Sequence, residues 1–162
     1  MGQVLVIGYG NPLRCDDGLG WRAAQELSKE TLGPGVQIQA VQQLTVELAE
    51  PVSKAEFAIF IDACWDIPPG RIRSSHVHAD ETWDGSATTH YLTPPLLLAV
   101  AQLLYGQCPD ANLISMGGET FERGGQFSRS VAAAFPALLA RVRECVGQRL
   151  AGTTPRRGHH DA

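Results

Sequence analysis

The chain has 162 residues, which suits one compact domain, and its 44% hydrophobic content is sufficient for an ordinary core. A net charge of −4 argues against nucleic acid as a partner, because nucleic-acid binding requires a basic face. No apolar run approaches the roughly 20 residues of a membrane span, and the start carries no signal-type segment, so we expect a cytoplasmic protein without a membrane partner.

The first two predicted elements flank a glycine-rich loop. Residues 3–7 (QVLVI) form an apolar, β-branched run that predicts a buried strand. Leu19, Ala23 and Leu27 recur at helical spacing and predict a helix. The loop between them, within residues 8–20, follows the carboxyl end of a strand, which is the usual place for a ligand in an open α/β sheet.

A second strand and a short helix come next. Residues 36–41 (VQIQAV) alternate between apolar and polar, as a half-buried strand does, after a glycine–proline turn. Residues 44–50 (LTVELAE) predict a short helix that Thr45 caps and Pro51 closes.

The third strand is predicted to be central. Residues 57–63 (FAIFIDA) are almost continuously apolar, which is typical of a strand buried on both faces, and Asp62 lies at its carboxyl end. Residues 71–78 (RIRSSHVH) alternate like an exposed strand, and this segment is the best candidate for an antiparallel edge.

The last third predicts a helix, a strand and a final helix. Thr93 and two prolines open the helix at residues 96–105, and residues 111–117 form a short apolar strand. Ser128 is expected to cap the last helix, and Pro136 to kink it or delay its start. The buried stripe of that helix comprises Val131, Phe135, Leu138, Leu139, Val142 and Val146.

Strands that alternate with helices predict an α/β three-layer sandwich. We expect a mostly parallel, twisted sheet of about five strands with helices on both faces and one antiparallel edge strand. Residues 1–150 form the single predicted domain, and residues 151–162 form a polar, flexible C-terminal tail.

Standard nucleotide and hydrolase motifs are absent. A dinucleotide-binding loop needs a third glycine where Leu13 stands, and an acid after the second strand where Gln42 stands. No glycine–lysine–serine or –threonine sequence of a P-loop follows, and the signatures of serine hydrolases and zinc proteases are missing.

The chemistry-bearing candidates are acidic. Asp16 and Asp17 stand where the first helix begins, so that helix capping and a favourable helix dipole explain them in structural terms. Asp62 also ends a strand, and neighbouring strands would bring these loops together. With His90, before the third helix, two carboxylates and an imidazole would suit nickel, zinc, manganese or cadmium, and ligand type does not choose among these metals.

Other candidates have simpler explanations. His76 and His78 would share one strand face, but a solvated edge strand also accounts for them. The histidines at 159–160 lie in the predicted tail. Cys15 and Cys64, each beside a candidate acid, could be an auxiliary ligand or a catalytic thiol, although reduced packing cysteines are more common.

The joined pattern resembles the hydrogenase maturation proteases, the endopeptidases that trim the large subunit of nickel-containing hydrogenases. The specific motif is GYGNPLRCDDGLG at residues 8–20, followed by FIDA at 60–63, His90, and GGETFE at 117–122 before Phe127 and Ser128. The similarity keeps a consistent order over residues 3–146.

The resemblance implies an endopeptidase that removes a C-terminal extension from the nickel-loaded precursor of a hydrogenase large subunit. Carried over by position, Asp17, Asp62 and His90 are the implied metal ligands and catalytic residues, while Asp16 is expected to be a cap. The implied metal is nickel, which the substrate would bring, and other divalent metals could replace it. A noncatalytic nickel-binding or precursor-binding module is the alternative.

Two positions depart from the family pattern. Residues 42–45 (QQLT) stand where many relatives have a glycine-rich turn, so the substrate contact of that loop is open. Cys15 introduces a thiol into the signature loop.

Overall fold

The computed structural model of the protein describes residues 3–85 and 92–152. Its strands and α-helices, in chain order, are β1 (Val4–Tyr9), α1 (Leu19–Leu27), β2 (Val36–Val41), α2 (Ala49–Lys54), β3 (Phe57–Cys64), β4 (Ile72–Val77), α3 (Pro94–Tyr105), β5 (Asp110–Gly117) and α4 (Arg129–Gly152). Two short 3-10 turns, Cys15–Gly18 and Val46–Leu48, precede α1 and α2.

The five strands form one sheet in the order β2-β1-β3-β5-β4. β1 pairs in parallel with β2 and β3, and β3 pairs in parallel with β5. β4 is antiparallel to β5 and lies at the edge. The prediction of a mostly parallel sheet with an antiparallel edge strand at residues 71–78 is therefore confirmed.

Helices cover both faces of the sheet, because successive side chains of the central strands point to opposite sides. Leu5, Ile7 and Phe60 pack with α2 and α3 on one face. Val6 and Ile59 pack with α1 and α4 on the other face. The chain is thus the predicted α/β three-layer sandwich.

Two glycines let α1 lie directly on the sheet. A Cβ atom on Gly8 would be 2.0 Å from the carbonyl oxygen of Gly20, and one on Gly20 would be 2.2 Å from that of Ile61. No side chain fits between these backbones. The glycine pair therefore brings the start of α1 close to the carboxyl ends of β1 and β3.

Three details of the helices differ from the sequence prediction. Pro51 lies inside α2, where a proline in the first turn costs no helical hydrogen bond. Thr45 makes no capping hydrogen bond, and its hydroxyl donates instead to Glu47. Pro136 does not delay α4, which begins at Arg129. The predicted cap of α4 is confirmed, because the Val131 N–H donates to Ser128 Oγ at 3.4 Å.

The last helix extends slightly beyond the predicted domain boundary. α4 ends at Gly152, two residues into the predicted tail, and the remainder of that tail lies outside the described residues. None of the helices in the described ranges combines the length and apolar character needed to cross a membrane.

Candidate functional site

Asp17 and Asp62 lie at the same edge of the sheet. Asp17 belongs to the turn Cys15–Gly18 that follows β1, and Asp62 lies near the end of β3. β1 and β3 are neighbours, with Gly8 in register with Ile61, so the two loops leave the sheet side by side. Both aspartates line one cleft of about 640 Å³, as the sequence predicted for neighbouring strands.

The cleft lies where the chain changes its direction across the sheet. From β1 the chain crosses over through α1 to β2 at one side, whereas later elements extend from β3 to the other side. α1 and α2 cover opposite faces. Such a point, at the carboxyl ends of parallel strands, leaves a crevice that side chains from several loops can line.

The cleft is lined by the loops after three adjacent strands. In chain order its lining residues are Tyr9, Gly10, Asn11, Arg14, Asp17, Gln42, Gln43, Leu44, Asp62 and Leu92. Gln42 and Gln43, from the loop after β2, are therefore part of the cleft. Among the described residues that line it there is no serine, threonine or cysteine.

A backbone hydrogen bond fixes the position of the Asp17 carboxylate. The Asn11 N–H donates to Asp17 Oδ2 at 2.9 Å, so the loop folds back on itself. Gly10 makes this possible, since it has φ +142°, and a Cβ atom there would lie 1.9 Å from the backbone oxygen of Asp17. The glycine–x–glycine start of the loop thus serves the placement of Asp17.

Asp62 is held by its own backbone and by Tyr9. The Ala63 N–H donates to Asp62 Oδ1 at 2.7 Å, and the Tyr9 side chain also hydrogen-bonds the carboxylate. Burial raises the pKa of Asp62 to about 7, and the nearby charge of Asp17 contributes in the same direction. The hydrogen bonds act against that rise.

Tyr9 is a site residue that the sequence prediction missed. Burial, and then the negative charge of Asp62, raise the pKa of Tyr9, so its hydroxyl stays protonated and available as a donor. Tyr9 follows Leu5 and Ile7 in the alternation of β1, which places it on the same face as the Asp62 side chain. A hydroxyl at the end of an otherwise apolar strand was the available signal.

We expect the Asp62→Asn variant to gain stability relative to the wild type as pH rises. In the folded state Asp62 loses its proton only near pH 7, whereas in the unfolded chain it does so near pH 4. The free energy of unfolding of the wild type therefore decreases as the pH rises from about 4 to about 7. The difference should reach up to about 4 kcal/mol at pH 8. Urea unfolding at pH 4, 6 and 8 measures it, and equal pH slopes for the two proteins would contradict the proposed state of Asp62.

Asp16 is not a helix cap, contrary to the prediction. Its buried carboxylate accepts hydrogen bonds from the backbone N–H groups of Glu119 at 2.8 Å, Thr120 at 3.1 Å and Ser128 at 2.8 Å. Burial alone would raise the pKa of Asp16, but these bonds, with one from the Ser128 side chain, together hold it below its usual value.

Backbone hydrogen bonds also join the loop after β1, which contains Asp16, to the loop after β5. The Cys15 N–H donates to the Gly124 carbonyl at 2.8 Å, and the Asp16 N–H to that of Thr120 at 2.9 Å. In return, the Gly124 N–H donates to the Leu13 carbonyl at 2.9 Å. The two adjacent acids thus have different roles. Asp16 anchors the loop, and Asp17, presented by that loop, lines the cleft.

The two cysteines beside the candidate acids do not line the cleft in the described part of the structure. A Cβ atom on Gly124 would lie 2.7 Å from Cys15 Sγ. The Cys15 thiol is therefore packed against Gly124, in the loop after β5. Burial raises the pKa of Cys64 to about 11, which disfavours a thiolate at neutral pH. Cys15 and Cys64 therefore fit the predicted role of packing cysteines better than the role of a catalytic thiol.

The histidine candidates are separated from these acids or lie outside the described ranges. His90 and residues 159–160 fall outside them, so the full predicted triad stays a prediction. His76 and His78 lie on β4 and just after it, with ring centroids 6.5 Å apart, and they line another cleft. Within residues 3–85 and 92–152, no three His, Cys, Asp or Glu side chains are grouped to hold a metal ion.

Comparison with protein-family models finds no match, and no curated protein is significantly similar in sequence. Solved structures do match. The hydrogenase maturating endopeptidase HybD from E. coli superposes with a TM-score of 0.76 at 22% identity, and the match covers 91% of this chain and 93% of that one. The hydrogenase 2 maturation peptidase from a Thaumarchaeota archaeon matches with a TM-score of 0.68 at 28% identity, over 90% of this chain and 98% of that one.

A third match is similar in extent. The [NiFe] hydrogenase maturation protease HycI from Thermococcus kodakarensis superposes with a TM-score of 0.70 at 19% identity, over 90% of this chain and 92% of that one. All three matches cover nearly the whole of both chains. The chain described here therefore shares its complete fold, and not a fragment of it, with these proteins.

Proposed function

We propose that this chain, which belongs to the hydrogenase maturation protease family, is an endopeptidase that removes a C-terminal extension from the nickel-loaded precursor of a hydrogenase large subunit. One observation carries the proposal. The signature-loop acid Asp17 and the strand-end acid Asp62 line the same cleft, although 45 positions separate them in the chain.

The donor set of the cleft suits a divalent cation that arrives with the substrate. Two carboxylates face one cleft, and their mutual repulsion contributes to the high pKa of Asp62, so a cation between them would relieve an unfavourable interaction. Carboxylate oxygens and a neutral imidazole are suitable ligands for nickel. We propose that Asp17, Asp62 and His90 recognise the nickel of the precursor.

The position of His90 in the chain supports its inclusion. Leu92, two residues later, lines the cleft.

We propose that water is the nucleophile. Among the described residues that line the cleft, the two carboxylates are groups that can activate water, and no serine, threonine or cysteine accompanies them. One oxygen of the Asp62 carboxylate would accept the proton of that water while the other binds the cation. Tyr9 keeps that carboxylate oriented, while the substrate's nickel would polarise the scissile carbonyl.

The test is to incubate the protein with purified precursor that does or does not contain nickel, and to measure the precursor mass. We expect a loss equal to a C-terminal segment for the loaded precursor, and an unchanged mass for the metal-free one. The reason is that productive docking needs the cation to complete its coordination with the cleft residues.

Binding of the loaded precursor without any loss of mass would contradict the endopeptidase and favour the noncatalytic binding module. Cleavage of both precursor forms at equal rates would contradict recognition through nickel but would leave the peptidase activity intact. The same reaction at pH 5.5 should be slower, because Asp62 then holds a proton that competes with the cation.

A further inference from the structure

The described surface exposes six large hydrophobic side chains: Leu13, Val46, Trp65, Leu103, Leu104 and Tyr105. They form two groups, one at the amino ends and one at the carboxyl ends of the parallel strands. The last three end α3, five residues before β5 begins, and so lie at the amino end of that strand. The first three lie in the loops after β1, β2 and β3, at the carboxyl ends of these strands.

We name Leu13, Val46 and Trp65 the apolar rim. Each is close in the chain to a residue that lines the cleft: Leu13 precedes Arg14, and Val46 follows Leu44 by two positions. Trp65 follows Asp62 by three positions and is 83% exposed. Each residue of the apolar rim thus lies within three positions of a residue that lines the cleft.

The three rim residues also belong to one side of the molecule. β2, β1 and β3 are consecutive in the sheet. Neighbouring strands are about 4.8 Å apart, so the loops after these strands leave the sheet within about 10 Å of one another. The three loops therefore begin at one end of the sheet, where one partner could meet all of them.

The exposed aromatic side chain of Trp65 points to a partner, because apolar surface left in water is unfavourable. An isolated surface leucine needs no explanation, but tryptophan is enriched among the residues that dominate protein–protein binding. Its large, rigid ring buries much apolar area while losing little conformational freedom. Trp65 thus gives the apolar rim a residue of the type that anchors protein–protein contacts.

The size of the cleft shows which part of a substrate the rim would meet. A volume of about 640 Å³ is in the range that a drug-sized ligand fills, so only a short stretch of peptide fits inside. The rim lies outside that volume, since none of its three residues lines the cleft. Whatever it contacts is beyond the peptide that enters the cleft.

We propose that the apolar rim docks the folded body of the precursor protein, beside the segment that enters the cleft; this inference rests on the proposed function. The occupant is an exposed apolar patch of the precursor next to its metal. Affinity for the precursor then comes mainly from the rim, whereas the cleft residues determine whether the bound precursor is cut.

The test measures KM and kcat for loaded precursor, and Kd for the same precursor by biolayer interferometry. We expect Trp65→Ser to raise KM and Kd about 30-fold without a comparable fall in kcat, as for removal of a central interface tryptophan. Leu13→Ser and Leu104→Ser form a matched pair, because the residues are 69% and 57% exposed. The first should raise both constants about fivefold, and the second should leave them unchanged.

The outcomes separate this inference from the function on which it rests. If the wild type cleaves the precursor and all three variants keep its KM and Kd, the rim is not the docking surface and the peptidase assignment stands. If the wild type binds but does not cleave, the peptidase assignment fails, and the Kd values still decide the role of the rim. A concentration-dependent dimer that Trp65→Ser abolishes, with KM unchanged, would assign the rim to a second copy of this chain and overturn the proposal.

Discussion

Replacing Asp62 by asparagine should lower the cleavage rate of the loaded precursor by at least about 100-fold. Asparagine has the same shape and can still accept the hydrogen bond from the Ala63 N–H, so the local structure should persist. What is lost is the negative charge for the cation and the ability to accept a proton. The initial rate of mass loss, measured with the same precursor preparation, gives the ratio.

Companion variants make this result specific. Asp17→Asn and His90→Ala should cause losses of similar size if the three residues act on one metal. Asp110→Asn is the matched control. Asp110 lies at the amino end of β5, away from the carboxyl ends that form the cleft, and its side chain is largely exposed. Wild-type rates for Asp62→Asn and Asp17→Asn, or an equal loss for Asp110→Asn, would show that the cleft is not the active site.

Replacing Asp16 by asparagine should destabilise the fold by about 3 kcal/mol. Three backbone N–H groups now donate to its carboxylate, whereas an asparagine offers one acceptor oxygen and places an NH₂ group against the remaining donors. Chemical denaturation at pH 7 measures the loss. A change below 0.5 kcal/mol, by order of magnitude an ordinary surface effect, would contradict the anchoring role.

The adjacent acid is the control for this prediction. Asp17 accepts one backbone hydrogen bond, so Asp17→Asn should cost less than about 1 kcal/mol. The pH dependence gives a second check with a definite sign. Since the folded pKa of Asp16 is lowered, its contribution is complete above the ordinary aspartate pKa and disappears as pH falls through the folded value. Wild type and Asp16→Asn should therefore converge in strong acid.

The order and type of the elements were predictable from local patterns. Apolar runs at residues 57–63 and 111–117 identify buried strands, and Thr93 with its prolines correctly starts α3. The meeting of Asp17 and Asp62 was predictable only as a consequence of strand order. That order depends on how helices cross the sheet, which no local pattern in the sequence contains.

Two of the errors, at Asp16 and Tyr9, have a common physical origin in hydrogen bonds between residues distant in the chain. Asp16 stands where a cap is expected, yet its partners begin 103 positions later, and a spacing argument does not detect such contacts. Tyr9 was missed because a tyrosine at a strand end resembles a packing residue until its neighbour on the adjacent strand is known. Pro51 was misread because a proline is compatible with both the first turn of a helix and its end.

The anchor at Asp16 also determines when the cleft can be completed during synthesis. Its backbone partners leave the ribosome more than a hundred residues after the loop that they hold. A nascent chain that has paired β1 with β3 already positions Asp62, but the loop that presents Asp17 lacks its anchor until Ser128 has emerged. The two acids therefore reach their final positions in the cleft only when nearly the whole domain is present, so that a truncated product lacks the assembled cleft.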